Sequence, residues 1–313
     1  MKQIDLSIVV PAYNEEKNMQ PLYEKISAVM QRIKRSYEII FVDDGSTDGT
    51  LRELEAFRDS HVIVIKFRKN FGQTAALDAG FKSARGKILV PLDADLQNDP
   101  EDIPRLVAKL EEGYDVVSGW RVKRRDSWAK KIVSRGANLL RKVLLQDTIH
   151  DSGCTLKAYR RECFEHLTLY GEMHRFIPAL LGLRGFKITE LQVRHHPRAH
   201  GKTKYSIKRV VKGFLDMLVV TFWMKYSTRP IHLFGTLGIF TTFIGFLIGV
   251  YLTVLKLFFN EPIGNRPLLL LTIMLIVLGA QFVIFGLMSD ILVKIYYKNE
   301  PTYAIEKMHK KQK

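Results

Sequence analysis

This sequence predicts an α/β domain with a mostly parallel sheet, followed by an amphipathic surface helix and two transmembrane helices. Three observations lead there. Over the first 120 residues, strand and helix signals alternate with short connections, the pattern of a sheet covered on both faces. Further on, Ile231 to Leu255 and Pro267 to Ser289 run for 25 and 23 residues without Asp, Glu, Lys or Arg, each long enough to cross a bilayer core as a helix. Between these regions, Ile207, Val210, Val211, Phe214, Leu215, Leu218 and Phe222 recur near a 3.6 period, with Lys208, Arg209 and Lys212 at other positions.

The elements follow in order. Short apolar runs bounded by turn residues predict strands at Leu6–Pro11, Tyr37–Val42, Val62–Phe67, Ile88–Leu92 and Asp115–Ser118. Helices are expected between them, at Glu16–Arg35, Thr50–Arg58, Gln73–Ala84 and Glu101–Glu112. Asp44-Gly-Ser-Thr-Asp-Gly49 turns the chain sharply after the second strand, and Asp99-Pro-Glu-Asp opens a helix. From Arg121 to about Arg198 the pattern is less regular and more polar, as in a segment that completes a site. The expected division is a catalytic domain at 1–205, an amphipathic juxtamembrane helix at 206–229, a two-span hairpin at 230–293 and a basic tail at 294–313.

The net charge of +16 would suit a nucleic-acid binder, so its distribution decides. Arg121 to Lys142 holds nine Lys/Arg and one Asp, and Arg198 to Lys212 holds six Lys/Arg and no acid, clusters that suit phosphates and anionic lipid head groups. No helix-turn-helix, zinc-finger or RNP-type signature accompanies them, and nucleic acid is not an expected partner. The tail from Lys294 carries six Lys with two Glu, whereas the connection Lys256 to Arg266 is short and nearly balanced. Both ends are therefore expected in the cytoplasm, with the connecting loop outside. Met1-Lys-Gln-Ile-Asp leads straight into a strand-like stretch, so no cleavable signal peptide is expected. Cys154 and Cys163 are spaced as neither a CxxC pair nor a zinc site and are expected as reduced, packed thiols.

Asp93-Ala94-Asp95, at the end of the fourth predicted strand, carries the most chemistry. Residues i and i+2 of an extended segment point the same way, so both carboxylates could face one metal-bound diphosphate beyond the end of a sheet. Other phosphate-binding explanations fail. Gly201-Lys-Thr looks like the end of a P-loop, but His196 stands where its first glycine is required. Gly45-Ser-Thr-Asp-Gly49 lacks the GxGxxG spacing, and no HRD or DFG set is present.

The series Val9-Val-Pro-Ala-Tyr-Asn-Glu-Glu16, Val42-Asp-Asp-Gly-Ser-Thr-Asp-Gly-Thr50, Asn70-Phe-Gly, Asp93-Ala-Asp-Leu-Gln97, Pro100-Glu101 and Arg198-x5-Lys204-Tyr205 resembles the family-2 GT-A glycosyltransferases. More narrowly, the chain is similar to the polyprenyl-phosphate branch, with its dolichol-phosphate mannose synthases and GtrB-like undecaprenyl-phosphate glucosyltransferases. The two spans after a single catalytic domain favour the GtrB-like members.

The resemblance implies that Pro11, Tyr13, Glu15 and Asp43 hold the base and ribose of a nucleotide sugar. It implies Asp95 and Gln97 as ligands of Mg²⁺ or Mn²⁺, with Asp93 contacting sugar or ribose and Ala94 lining the same pocket. Arg121, Arg198 and Lys204 stand where the family places cations around the diphosphate. Asp93, Asp95 and Arg121 are thus the expected catalytic set. For the lipid phosphate, Arg121 with Ser134 and Arg135 is favoured, since charged forks bind phosphate tightly, although Lys204 or Arg198 could be shared between both phosphates. Asp151 and His174 are read as structural.

The implied reaction moves a hexose, from UDP-glucose or GDP-mannose, to undecaprenyl or dolichyl phosphate at the cytosolic membrane face, with inversion. A phosphate monoester is already anionic at neutral pH, so no general base is required. An enzyme acting on another membrane lipid or a polysaccharide is the nearest alternative, but Gln-x-x-Arg-Trp is absent; an inactive membrane scaffold is the other. Spans of this kind suggest oligomerisation, with no copy number to be read.

Overall fold

The structure is a computed structural model, and it describes residues 4–122, 149–165, 167–169, 171–197, 219, 221–222, 226, 229–264 and 266–296. The chain divides into two compact units, 1–220 and 221–313.

The first unit is built on a seven-stranded sheet. Its strands are β1 (Leu6–Ala12), β2 (Tyr37–Asp43), β3 (Val62–Lys66), β4 (Ile88–Pro91), β5 (Val116–Trp120), β6 (Lys157–Arg160) and β7 (Ile188–Gln192), in the order β3-β2-β1-β4-β6-β5-β7. The pairs β1·β2, β2·β3, β1·β4 and β5·β7 are parallel, while β6 pairs antiparallel with both β4 and β5. All the described strands except β6 therefore run one way and release their carboxyl ends along one edge.

Helices α1 (Glu16–Ile33), α2 (Thr50–Ala56), α3 (Gln73–Ser83), α4 (Ile103–Glu111) and α5 (Ile177–Leu183) connect the strands. Alternate residues of a strand face opposite sides, and here both sides are dry. Leu6, Ile8 and Val10 of β1 pack in one core with Met19, Leu22 and Ile26 of α1 and Leu106 and Leu110 of α4. Val9, one residue out of phase, packs in the other core with Ala76, Leu77 and Phe81 of α3 and Ile177 and Leu181 of α5. Burial of each such side chain contributes about 1.5–3 kcal/mol, which fixes the register of the strands that carry the site.

The expected strands and helices of the first 120 residues are present within a few residues at each end. The expected helix at Glu101–Glu112 divides into a 3₁₀ turn, Pro100–Asp102, and α4, because Asp99 caps the turn by accepting from the Glu101 N–H at 3.1 Å. The stretch read as irregular contains β6, α5 and β7. Four or five residues of mixed polarity leave no periodic signature, and only pairing with β4 and β5 makes these segments strands. Both cysteines are free and buried, as expected.

The second unit holds α6 (Ile231–Phe258) and α7 (Pro267–Tyr296), two helices long and apolar enough to cross a membrane. Their large side chains point outward, Ile239, Phe240, Leu257, Phe258 and Leu270 among them. Small residues face inward and let the backbones approach: a Cβ on Gly238 would stand 2.6 Å from the Gly279 carbonyl oxygen. The hydroxyls of Thr241 and Thr253 donate back to the carbonyls of Leu237 and Gly249, so neither donor is left open on an apolar surface. Most of the expected amphipathic helix and the tail beyond residue 296 lie outside the described residues.

Candidate active site

The carboxyl edge of the sheet gathers the candidate residues. Pro11 is buried near the end of β1, Tyr13 follows the strand as an exposed side chain, and Asp43 closes β2. Asp43 and Asp44 have separate roles. Asp44 accepts from the N–H groups of Phe71 (2.7 Å) and Gly72 (2.9 Å), fixing the loop that enters α3, and burial raises its carboxyl above the ordinary value. Gly45, at φ +69°, lies so close to the backbone of Lys69 and Asn70 that a side chain has no room there. Asp43 is fully buried; its Oδ1 accepts from the Ser46 N–H at 3.1 Å, whereas its Oδ2 has no hydrogen-bond partner. A buried carboxylate oxygen without a donor is costly, and a base N–H or ribose hydroxyl would satisfy it.

Glu15 sits at the start of α1, where its N–H donates to Thr50 Oγ1 at 2.9 Å and its carboxylate accepts from Asn18 at 2.5 Å. The helix start thus engages this side chain, consistent with its proximity to the positive end of the helix dipole.

Beyond β4, Leu92 still donates to Val9 at 2.9 Å, and then the chain turns. Asp93 is partly buried, Ala94 and Asp95 are buried, and Gln97 is partly buried. Leu96 takes a left-handed backbone at φ +61°, and the Gln97 N–H folds back to Asp95 Oδ1 at 3.2 Å. Burial raises the Asp93 carboxyl, and the neighbouring charge of Asp95 raises it further, while a Thr155 hydrogen bond and the charges of Arg121 and Lys157 oppose the shift. Two like charges side by side and hard oxygen donors from Asp95 and Gln97 fit Mg²⁺ or Mn²⁺. Among the described residues no three His, Cys, Asp or Glu side chains form a cage, so phosphate oxygens would have to complete the coordination, a usual arrangement for Mg²⁺.

Arg121 follows β5. Its side chain is 12% exposed and is held by Asp151, with Nε to Oδ2 at 2.7 Å and Nη2 to Oδ1 at 2.9 Å. Burial works against the guanidinium charge, but Asp151 outweighs it and raises the Arg121 pKa. One edge of the fork is thereby committed to Asp151. Asp151, read as structural from the sequence, is a direct partner of the expected catalytic arginine.

Three further residues that sequence reasoning did not reach lie beside the candidate site. Gln73, at the start of α3, donates through Nε2 to Asp93 Oδ1 at 2.8 Å. The Thr155 hydroxyl favours the ionised form of Asp93. Lys157, 2% exposed at the start of β6, donates to the carbonyls of Ser152 (3.3 Å) and Cys154. No motif marked them; their signal is spatial. His174 pairs through Nδ1 with Thr74 Oγ1 at 2.6 Å, one residue from Gln73, in keeping with a structural role. Burial pushes the Cys154 thiol up to about 11, so it is inert packing beside the cluster.

After β7, the Arg194 N–H donates to Asp102 at 2.6 Å and the His196 N–H to the Gln97 carbonyl at 2.8 Å, so this segment runs along the Asp95 loop. Arg198 and Lys204 lie outside the described residues, as do Ser134 and Arg135.

The strand order, with paired carboxylates beyond its central strand, defines a glycosyltransferase of the GT-A fold. Residues 7–168 match the model of glycosyl transferase family 2, and the chain belongs to that family. It falls in the polyprenyl-phosphate branch. It is 39% identical to the dodecaprenyl-phosphate galacturonate synthase of Rhizobium johnstonii, over 98% of this chain and 94% of that protein. It is 37% identical to the undecaprenyl-phosphate 4-deoxy-4-formamido-L-arabinose transferase of Proteus mirabilis, over 97% and 93%. Among solved structures, the glucosyl-3-phosphoglycerate synthase of Mycobacterium tuberculosis with phosphoglyceric acid is similar in fold, with a TM-score of 0.53 at 22% identity over 71% of this chain and 80% of that one. The same synthase with Mn²⁺ and UDP-glucose has a TM-score of 0.52 at 22% identity over 70% and 79%.

Proposed function

We propose that this enzyme transfers a sugar from a nucleoside diphosphate sugar to a polyprenyl phosphate at the cytosolic face of a membrane, with inversion at the anomeric carbon. The observation that carries the reading is the convergence of Asp43, Asp93, Asp95 and Arg121 along one edge of the sheet. Asp43 Oδ2 would take the base or ribose. Asp93, steadied by Gln73 and Thr155, would receive the sugar. Asp95 and Gln97 would hold a divalent cation, which when bound would offset charge on the departing diphosphate.

The acceptor brings its own nucleophile, an anionic phosphate oxygen, so the protein's task is alignment. Arg121 is proposed to face that phosphate with its uncommitted edge, together with Ser134 and Arg135; Arg198 and Lys204 are proposed around the diphosphate. Positive charge grows at the anomeric carbon as the old bond lengthens, and the carboxylates nearby favour it. The basic clusters flanking α6 and α7 support a cytosolic catalytic unit and cytosolic termini, so the acceptor head group reaches the site while its tail stays in lipid.

UDP-glucose and GDP-mannose are the donors the motifs suggest, but the relatives are named for galacturonate and 4-deoxy-4-formamido-L-arabinose. A panel of all four nucleotide sugars with undecaprenyl and dolichyl phosphate, each with Mg²⁺ or Mn²⁺, tests the reading. Label appearing in an acid-labile lipid phosphate supports it; labelled product from none of the combinations removes it. Arg135→Ala is expected to weaken acceptor use more than nucleotide binding.

A further inference from the structure

We propose that Lys157 is a positioning residue for sugar transfer, acting through the loop 151–156 to hold Asp93 and Arg121 in fixed relation across the sheet. The inference rests on the transferase reading above. Its basis is topological. Strand β6 is wedged between β4, which leads to Asp93, and β5, which leads to Arg121. Lys157 is its first residue, opposite Ser118 of β5.

The loop that precedes β6 touches both halves of the site. Asp151 clasps Arg121 at 2.7 and 2.9 Å, and the Thr155 hydroxyl favours the ionised form of Asp93. Between those two contacts, the carbonyls of Ser152 and Cys154 both accept from the Lys157 ammonium. One buried cation thus pins the backbone from which Asp151 and Thr155 extend. From the outer side, Glu190 of β7 accepts from the His150 N–H at 2.8 Å, so the segment is gripped on both flanks.

A purely structural filler here would be apolar, because a buried ammonium is expensive unless its charge is used. Its electrostatic neighbours are Asp93, Asp151, Cys154 and Arg121, the site itself. Burial pulls the Lys157 ammonium below its ordinary value, and the charges of Asp151 and Asp93 oppose that shift. Loss of the ammonium would release two carbonyls and let Asp93 and Arg121 drift.

The test compares the full-length wild type with Lys157→Met, which keeps length without charge, Lys157→Arg, which keeps charge, and Thr155→Val. Each is assayed for kcat, donor KM, nucleoside diphosphate affinity and thermal midpoint. Lys157→Met is expected to lose about 100-fold in kcat, the scale of a small misplacement, with nucleotide affinity within about threefold. Lys157→Arg is expected to recover about tenfold of that loss, and Thr155→Val to lower kcat about tenfold at an unchanged midpoint. A Lys157→Met enzyme within about threefold of wild-type kcat overturns the proposal, as does equal loss in Met and Arg variants that tracks equal destabilisation. If Lys157→Met does not fold, Thr155→Val decides: kcat within about twofold of wild type overturns the link to Asp93. A silent wild type, by contrast, fails the transferase reading and the inference with it.

Discussion

Arg121 and Asp151 form a two-point ion pair, Nε to Oδ2 at 2.7 Å and Nη2 to Oδ1 at 2.9 Å, between the end of β5 and a segment 30 residues further on. The pair is almost closed to solvent, at 12% and 6% side-chain exposure, so neither charge is well served by water if the other is removed. Asp151→Asn is therefore expected to destabilise the catalytic unit by about 3 kcal/mol, the usual cost of orphaning a buried charge. Denaturant unfolding followed by intrinsic fluorescence measures this; a change inside experimental error would mean that Arg121 finds another partner.

Asp95→Ala should abolish transfer while leaving insertion of α6 and α7 unchanged, because the carboxylate lies in the catalytic unit and the helices in the other. Chelation of divalent ions should silence the wild type, and added Mn²⁺ or Mg²⁺ should restore it. Full activity in the variant, or in chelator, would refute the ligand assignment.

The neighbouring acids Asp43 and Asp44 should separate cleanly. Asp43→Ala removes the acceptor proposed for the nucleotide, and hydrogen bonds to charged groups contribute about 1.5–3 kcal/mol, so donor affinity should fall about 10- to 100-fold. Asp44→Ala releases the N–H groups of Phe71 and Gly72 and should instead lower stability. Calorimetric titration with nucleoside diphosphate distinguishes them, and similar affinity losses in both would merge the two roles.

Glu38 sets an acid limit on stability. Burial alone would raise its carboxyl, but hydrogen bonds from Ser7 Oγ (2.6 Å), the Arg85 N–H (2.6 Å) and the Arg85 guanidinium (2.9 Å) outweigh it and hold the folded-state value below 4.5. A depressed carboxyl stabilises above its unfolded value and loses that contribution as pH falls through the folded one. Glu38→Gln should therefore be less stable than wild type at neutral pH, with the difference shrinking below about pH 4.5. Unfolding midpoints across pH 3–7 (about four steps) test this; a constant gap would detach Glu38 from the acid limb.

Gly279→Leu should separate the helix pair, since a Cβ there meets Thr242 and the Gly238 carbonyl, the latter at 2.6 Å. Disulfide trapping between cysteines introduced on facing positions of α6 and α7 should fall in this variant. Undiminished trapping would mean that the glycine contact does not set the spacing.

The strands and turns that carry the candidate residues were legible in the sequence because their signals are local. Alternating apolar residues, the Asp43-Asp44-Gly45 turn and Asp93-Ala94-Asp95 each lie within one strand and its following turn, although β4 ends at Pro91 and a turn, not strand alternation, sets Asp93 and Asp95. The partners of those residues were not legible. Gln73 is 20 positions from Asp93, and Asp151 reads as any polar loop residue until Arg121 is found beside it.

The sequence by itself determined the parallel α/β frame, the two long apolar helices and the acidic pair beyond the fourth strand, because backbone periodicity and hydrophobic run length are properties of neighbouring residues. Only the tertiary structure decided that β6 enters antiparallel between β4 and β5, that Asp43 rather than Asp44 keeps an open oxygen, and that Lys157 is buried beneath the site. Those outcomes depend on which distant groups share a desolvated space, where the free energy of a charge is set by its partners rather than by its place along the chain.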